Sequence, residues 1–236
     1  MQKKQRVLIT GASGGLGQTV VGAFLRAGAQ VIANGRETAN LQALSSLFGD
    51  SKDQLTTIAA DVTDENAVEE LFAQIQNEFL GIDSLIHLAG GFRAGAAVAD
   101  TSLDDWRFMI QLNLESAFLC SRAAMAQMAV QGHGKIVLTS ALAALQAKPK
   151  RAAYTVAKAG IIALTQTLAQ EGKDHGIQVN CLAPGIVVTD ANRKAMPDAH
   201  HSKWASPQRI AQTLLFLCSA DADDISGTIV QLPGRM

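Results

Sequence analysis

Arg6-Val-Leu-Ile-Thr10, running without a break into Gly11-Ala-Ser-Gly-Gly-Leu-Gly17, is the stretch that decides how this chain folds. A compact apolar run of strand length meets a glycine turn, and Val20, Val21, Phe24 and Leu25 then recur at helical spacing. Glycines at 11, 15 and 17 let the backbone turn tightly and approach a ligand. The helix that follows offers unpaired N–H groups and the positive end of its dipole to a pyrophosphate. The spacing is Gly-x-x-x-Gly-x-Gly, not the Gly-x-Gly-x-x-Gly of the commoner dinucleotide fingerprint, so a plain turn remains the alternative for the loop alone.

The alternation continues outward from this unit. Strands are expected at Gln30 to Asn34, Leu55 to Ala59, Ser84 to Leu88, from Ile136, at Gln178 to Ala183 and at Thr228 to Leu232. Helices are expected from Thr38 to Phe48, from Glu65 to Phe79, as one or two between Leu103 and Val130, from Ala152 to Glu171 and from Ser206 through Leu217. Pro184-Gly185 stops the sixth strand, and a polar loop follows. Strands alternating with helices of this length demand parallel pairing and right-handed crossovers covered on both faces. The expected architecture is a single-domain α/β doubly wound Rossmann fold over residues 1–236, with a mostly parallel seven-stranded sheet.

Composition narrows the function. A chain of 236 residues, 48% of them hydrophobic, can fill one large core without a second domain. A formal charge of -1 with no run of like charges gives no field to gather nucleic acid or anionic lipid, and no apolar run nears bilayer length. The N-terminus, Met1-Gln-Lys-Lys-Gln-Arg6, leads straight into a strand, which points to a cytoplasmic protein. Cys120, Cys181 and Cys218 are too scattered for a disulfide framework, and the adjacent His200 and His201 lack metal-ligand spacing, so no metal is expected.

In such a sheet, ligands bind beyond the carboxyl ends of the strands. Gly11 to Gly17 follows strand one, Arg36 strand two, Asp61 strand three, Gly90 strand four, Ser140 strand five and Pro184 strand six. That convergence changes the reading of Tyr154-Thr-Val-Ala-Lys158, where a phenol and an ammonium share one helix face. Elsewhere it would be a solvated surface pair. Here Lys158 is expected to favour the Tyr154 phenolate and bring it toward acid/base work near neutrality.

Together these residues resemble the short-chain dehydrogenase/reductase family across essentially the whole chain. The resemblance rests on Thr10-Gly-x-x-x-Gly-x-Gly17, Asp61-Val62, Ala89-Gly90, Asn113 in Leu-Asn-Leu, Ser140, Tyr154-x-x-x-Lys158, Asn180-x-x-x-Pro-Gly185 and Thr189. It implies a hydride exchanged between a nicotinamide and a small carbonyl or alcohol. Tyr154 would move the proton, Ser140 would hydrogen-bond the substrate oxygen, Lys158 would hold the nicotinamide ribose, and Asn113 would order a proton relay. The implied cofactor contacts are Gly11, Ser13, Gly15, Leu16 and Gly17 at the pyrophosphate, Asp61 and Val62 at the adenine, Ala89 and Gly90 at the fourth turn, and Pro184, Gly185, Val187 and Thr189 at the nicotinamide amide and pyrophosphate, beside Tyr154 and Lys158. Arg36, with no carboxylate at Asn34 or Gly35, favours NADP(H), with NAD(H) as the alternative. Where the family usually carries two asparagines before Ala-Gly, this chain has His87-Leu88, which predicts lost hydrogen bonds and a packed, satisfied histidine.

A narrower likeness, to the dihydropteridine reductases of that family, rests on Ala89-Gly-Gly-Phe92, the step from Ser140 to Tyr154, and Asn192-Arg-Lys-Ala-Met-Pro197 with Trp204. It implies a lid over 186–204 and a quinonoid pterin as the alternative substrate. Ser140 argues for a ketone, since a second hydroxyl suits an oxygen that develops negative charge. A non-catalytic cofactor-binding regulator is the rival of another class. The helices holding Leu114 to Met128 and Ala152 to Ala169 are rich in small and apolar residues, and the family resemblance implies that they pair subunits in a homo-oligomer, dimer or tetramer.

Overall fold

The structure is a computed structural model that describes residues 4–235. Strand β1 (Arg6–Thr10) is buried along its whole length, as a strand covered on both faces must be. On one side it pairs with β2 (Gln30–Gly35), which carries β3 (Leu55–Ala59) at the edge. On the other side come β4 (Ser84–His87), β5 (Gly134–Thr139), β6 (Ile177–Pro184) and β7 (Ile229–Leu232). The order is β3-β2-β1-β4-β5-β6-β7, and every pair is parallel. The chain runs outward from β1 to β3 and then crosses back to β4, so strand order reverses between β1 and β4 and a crevice opens there.

Period-two alternation feeds two cores. Val7, Ile9, Val31, Ala33 and Val137 face one layer, built on α1 (Gly15–Arg26), α2 (Thr38–Leu47) and α9 (Pro207–Leu217). Leu8, Ile32, Leu85, Ile136 and Leu138 face the other, built on α3 (Glu65–Phe79), α5 (Ser116–Gln131) and α7 (Ala152–Glu171). Three shorter helices complete the fold: α4 (Leu103–Ile110), α6 (Leu142–Leu145) and α8 (Asp190–Ala195).

The expected elements are all present, with boundaries moved by a residue or two, within the range over which such ends are defined. Two features go beyond the expectation. The helical stretch after Leu103 is α4 and α5 joined by a π turn at Gln111–Glu115, which carries Asn113. The polar loop toward Ser206 contains α8, started by the Thr189 side chain, which accepts from Asn192 N at 3.2 Å. Among the described residues no helix is long and apolar enough to cross a membrane.

Candidate active site

At the switch point the glycine loop forms a cradle that side chains would fill. A Cβ at Gly17 would run into the carbonyls of Gly11 and Ala12, the latter oxygen 2.6 Å away. Gly11 adopts φ +65, and a Cβ there would lie 2.8 Å from Ala89 N. Helix α1 starts at Gly15 with no side-chain cap, so the amide hydrogens of its first turn remain available to an anion. A cleft of about 510 Å³ opens above this turn, lined by Gly11, Ser13, Gly15, Leu16, Gly17 and, across from them, Asp61, Val62, Ala89 and Gly90. These residues fit a dinucleotide: a backbone cradle at the centre, and recesses at the ends of β2 and β3.

Arg36 lines that cleft, exposed, with Nε 3.1 Å from Glu37 Oε1. Glu37 and Asn40 share the recess. Sequence reasoning missed both, although adjacency to Arg36 was the available signal. Asn34 is buried and donates to the carbonyls of Ile58 and Ala60 at 3.2 and 3.1 Å, so its amide ties β2 to β3 and is not offered to a ligand. Asp61 Oδ1 accepts from Thr63 N and Thr63 Oγ1 at 3.0 and 2.8 Å, which fixes the carboxylate at the cleft wall.

Past Pro184, the last residue of β6, the chain bends at Gly185, whose N–H donates to Leu232 O at 3.0 Å. A Cβ at Gly185 would lie 2.7 Å from Pro233 O, so only glycine lets the chain after β7 pass this close. Val187 forms an isolated bridge with Ala205, and Thr189 Cβ lies 3.2 Å from where a Gly15 Cβ would stand. The chain after β6 therefore meets the glycine loop across the cleft.

The catalytic candidates converge on α7 and its neighbours. Tyr154 is partly buried and meets the Phe92 ring edge-on, centroids 4.9 Å apart at 90°. Burial pushes its phenol up to about 12, with the Arg151 guanidinium pulling the other way. The expected depression by Lys158 is not found. The Lys158 Nζ lies 5.9 Å from the Tyr154 ring centroid and donates instead to Thr139 O at 2.9 Å. Lys158 is itself 5% exposed, and burial lowers it to about 8. At neutral pH the site thus holds a protonated phenol beside a charged ammonium, the states an acid catalyst of reduction needs.

Asn113 is fully buried in the π turn. Its Oδ1 accepts from Gly91 N at 3.1 Å and its Nδ2 donates to Met109 O at 3.1 Å. A Cβ placed on Gly90 would lie 2.8 Å from Asn113 Oδ1 and 3.3 Å from Lys158 Nζ, so one point near Gly90 is shared by both groups. Ser140 stands just past β5. Its hydroxyl donates to the backbone carbonyl of Lys158 at 2.6 Å, and the residue is 2% exposed. The next residue, Ala141, continues extended at φ −156 and ψ 157, where successive side chains point to opposite faces. Ser140 therefore ties the end of β5 to α7 at Lys158, beside which Tyr154 and Asn113 come together.

Fold and site define a nicotinamide dinucleotide oxidoreductase of the doubly wound class. Residues 5–200 match the family described as short chain dehydrogenase. The chain is 30% identical to gluconate 5-dehydrogenase of Gluconobacter oxydans over 239 residues, 97% of this chain and 93% of the relative. It is 31% identical to 3-oxoacyl-(acyl-carrier-protein) reductase FabG of Escherichia coli K12, covering 97% of this chain and 96% of that one. Among solved structures, ElxO with NADP bound superposes with a TM-score of 0.93 at 28% identity, over 98% of each chain. The chain belongs to the short chain dehydrogenase family and is an NAD(P)H-dependent oxidoreductase.

Proposed function

We propose that the protein reduces a small carbonyl compound, or oxidises the matching alcohol, with NADP(H) as preferred cofactor. The observation that carries this reading is a protonated, half-buried Tyr154 whose ring lies 5.9 Å from the buried Lys158 Nζ, which in turn stands 3.3 Å from where a Cβ on the cleft-lining Gly90 would lie. When bound, the cofactor supplies the hydride. Gly11 to Gly17 hold its pyrophosphate by backbone N–H groups, and Ala89, Gly90, Pro184, Gly185, Val187 and Thr189 wall the nicotinamide half. Asp61 and Val62 receive the adenine. Arg36 keeps both Nη groups clear of its Nε contact with Glu37 and can fork onto a 2′-phosphate, in line with the NADP held by ElxO.

Tyr154 delivers a proton to substrate oxygen during reduction. Lys158 turns from Thr139 O to the nicotinamide ribose, and Asn113 orders the relay that reprotonates the phenol. The lid over 186–204 closes on the substrate, with Phe92 as the opposite wall, and water is excluded. The names of the relatives, a gluconate dehydrogenase and a 3-oxoacyl reductase, are those of carbonyl and alcohol chemistry.

Ser140 favours a second reading. Its hydroxyl is committed to Lys158 O, which leaves Tyr154 as the principal donor at the reacting oxygen or nitrogen. A conjugated acceptor such as a quinonoid dihydropterin spreads its charge and has less need of a second donor. A panel of aliphatic ketones, 3-oxoacyl thioesters and quinonoid pterins, followed by loss of NADPH absorbance, decides the matter. Ketone reduction that dies with Tyr154→Phe supports the first reading, and pterin reduction alone replaces it with the second. A protein that binds NADPH but turns over nothing would be the regulator.

A homo-oligomer is part of the same reading. Phe118 on α5 and Val156 on α7 remain 44% and 45% exposed, the surface two such helices would cover in a partner copy. A cytoplasmic setting suits three free, buried cysteines.

A further inference from the structure

His87 is a buried titratable group that the reaction leaves unused. It is 1% exposed and sits where β4 ends, between β1 and the first residue of α5. The hydrogen bonds around it settle which ring nitrogen carries the hydrogen. Ser116 donates its one hydroxyl hydrogen to Leu112 O at 2.8 Å, so toward His87 Nε2, 3.3 Å away, Ser116 accepts and Nε2 is the N–H. His87 Nδ1 is then an acceptor, and Thr10 Oγ1, 3.0 Å away, donates to it. The same Thr10 oxygen accepts from Ala89 N at 3.3 Å.

The result is one head-to-tail line: Ala89 N–H to Thr10, Thr10 O–H to His87, His87 N–H to Ser116, Ser116 O–H to Leu112 O. Every donor points the same way, so each bond polarises the next. Burial, reinforced by the Lys158 charge, holds His87 down at about 3, which keeps the ring neutral and this pattern intact at working pH. The hydrogen bonds expected to be missing without the asparagine pair are thus supplied by the histidine.

The two ends of the line belong to the two pieces that build the reacting corner. Ala89 opens the turn through Gly90 and Gly91, and Leu112 lies in the π turn Gln111–Glu115. Gly91 N closes the circuit on Asn113 Oδ1. The fit leaves no slack, since a Cβ on Gly90 would crowd Asn113 Oδ1 and Lys158 Nζ together. A packed apolar side chain could fill the same volume at lower cost, because a buried polar group gives up its hydration. What an apolar residue could not do is reach partners on opposite sides of one rigid ring.

We infer that His87 is a positioning residue: spanning Thr10 and Ser116, it sets the spacing between the Ala89–Gly91 turn and the π turn and so fixes Asn113 beside Lys158. The inference rests on the relay role proposed for Asn113. Three replacements divide the two links. His87→Asn places its amide near the Nδ1 position and keeps Thr10, His87→Gln reaches the Nε2 position and keeps Ser116, and His87→Phe keeps neither.

Turnover and NADPH dissociation constants are measured for each, well below its own Tm. His87→Phe is expected to lose about ten- to a hundredfold in kcat while its NADPH Kd stays within about threefold, the signature of displaced catalytic geometry. His87→Gln should recover most of kcat and His87→Asn should not, because only the former still holds the π turn. A residue that merely stabilised the sheet would lower Tm in all three without this split. Should His87→Phe fail to fold, Ser116→Ala cuts the same link from the other end and must reproduce the loss of kcat. The inference is overturned if His87→Phe or Ser116→Ala keeps kcat within about threefold of wild type, or if Asn rescues and Gln does not. Asn113→Ala separates the two layers. If it leaves kcat intact, the relay role itself fails and takes this inference with it. If it abolishes kcat while the His87 and Ser116 variants keep theirs, the positioning role alone fails.

Discussion

Replacing Lys158 with methionine should make the protein more stable and nearly inactive at once. The ammonium is 5% exposed and has one hydrogen bond, to Thr139 O at 2.9 Å. Its fall from 10.5 to about 8 through burial corresponds to roughly 3 kcal/mol of folding free energy spent on the charge, at about 1.4 kcal/mol per pH unit. Methionine matches the length of the buried stem and removes the charge. Leaving Thr139 O without its donor returns about 1 kcal/mol of that, so the net gain is about 2 kcal/mol. For a chain of this size that is roughly 4–8 °C in Tm.

The sign with pH is fixed by linkage. The folded lysine releases its proton near pH 8 and the unfolded one near 10.5, so between these values the unfolded chain binds more protons and wild-type stability rises with pH. The methionine variant lacks that rise. Its advantage should be full below pH 8 and should shrink as pH approaches 10.5. Tyr154, Cys120 and Cys218 titrate in both proteins and cancel in the difference, whereas the Cys181 thiol, which the Lys158 charge pulls down in the wild type, stands higher in the variant and shrinks the advantage at high pH in the same direction. Urea unfolding followed by far-UV circular dichroism at pH 7, 9 and 10 makes the measurement. A variant less stable than wild type at pH 7, or a difference that stays flat from pH 7 to 10, would refute the reasoning.

Tyr154→Phe should lower kcat at least a hundredfold or so while NADPH affinity, read by fluorescence titration, changes by less than about threefold. Arg36→Ala should raise the NADPH dissociation constant about tenfold or more and leave NADH unchanged, whereas Glu37→Gln should tighten NADPH a few-fold by removing a carboxylate beside the 2′-phosphate. Ser140→Ala is expected to cost about 1–2 kcal/mol in urea unfolding and to keep ketone turnover within about threefold, and a tenfold loss of kcat would restore the serine to the reacting atoms. Gly17→Ala should abolish cofactor binding in a calorimetric titration, because the added methyl meets the Gly11 and Ala12 carbonyls and displaces the loop backbone.

Much of this site can be read from the sequence because it depends on strand ends, and strand ends are marked by local chemistry. The glycines after β1, Arg36 after β2, Asp61 after β3 and Gly90 after β4 all line the cleft as their order along the chain implies. What resists such reading is orientation. That the Ser140 hydroxyl, one residue past β5, reaches the Lys158 carbonyl is set by backbone geometry, and composition carries no trace of it. The π turn at Gln111–Glu115 is equally silent, since its residues would suit an ordinary helix, and only the backbone bond pattern sets Asn113 apart. The Tyr154 and Lys158 spacing is visible, but the competition between Coulomb attraction and burial is not. Lys158 finds Thr139 O, and desolvation then governs both groups.

The segment 186–204, the lid of the proposed function, is tied down at both ends. Ala205 N donates to Ile186 O at 2.8 Å and Val188 N to Ala205 O at 3.0 Å, closing a small parallel bridge at its root. Within it, Asn192 Nδ2 holds Val187 O at 2.9 Å, His201 Nε2 lies 2.8 Å from Met196 O, and the His201 and Trp204 rings sit 4.4 Å apart. A segment cross-braced in this way does not fray from a tip. As the proposed lid it would open as a drawbridge, one stiff leaf turning on a two-stranded root, so the amide hydrogens of residues 190–203 should exchange with solvent together, at a single shared rate. In the proposed function the clock for letting product go would then be set at Val188 and Ala205, away from the atoms that react.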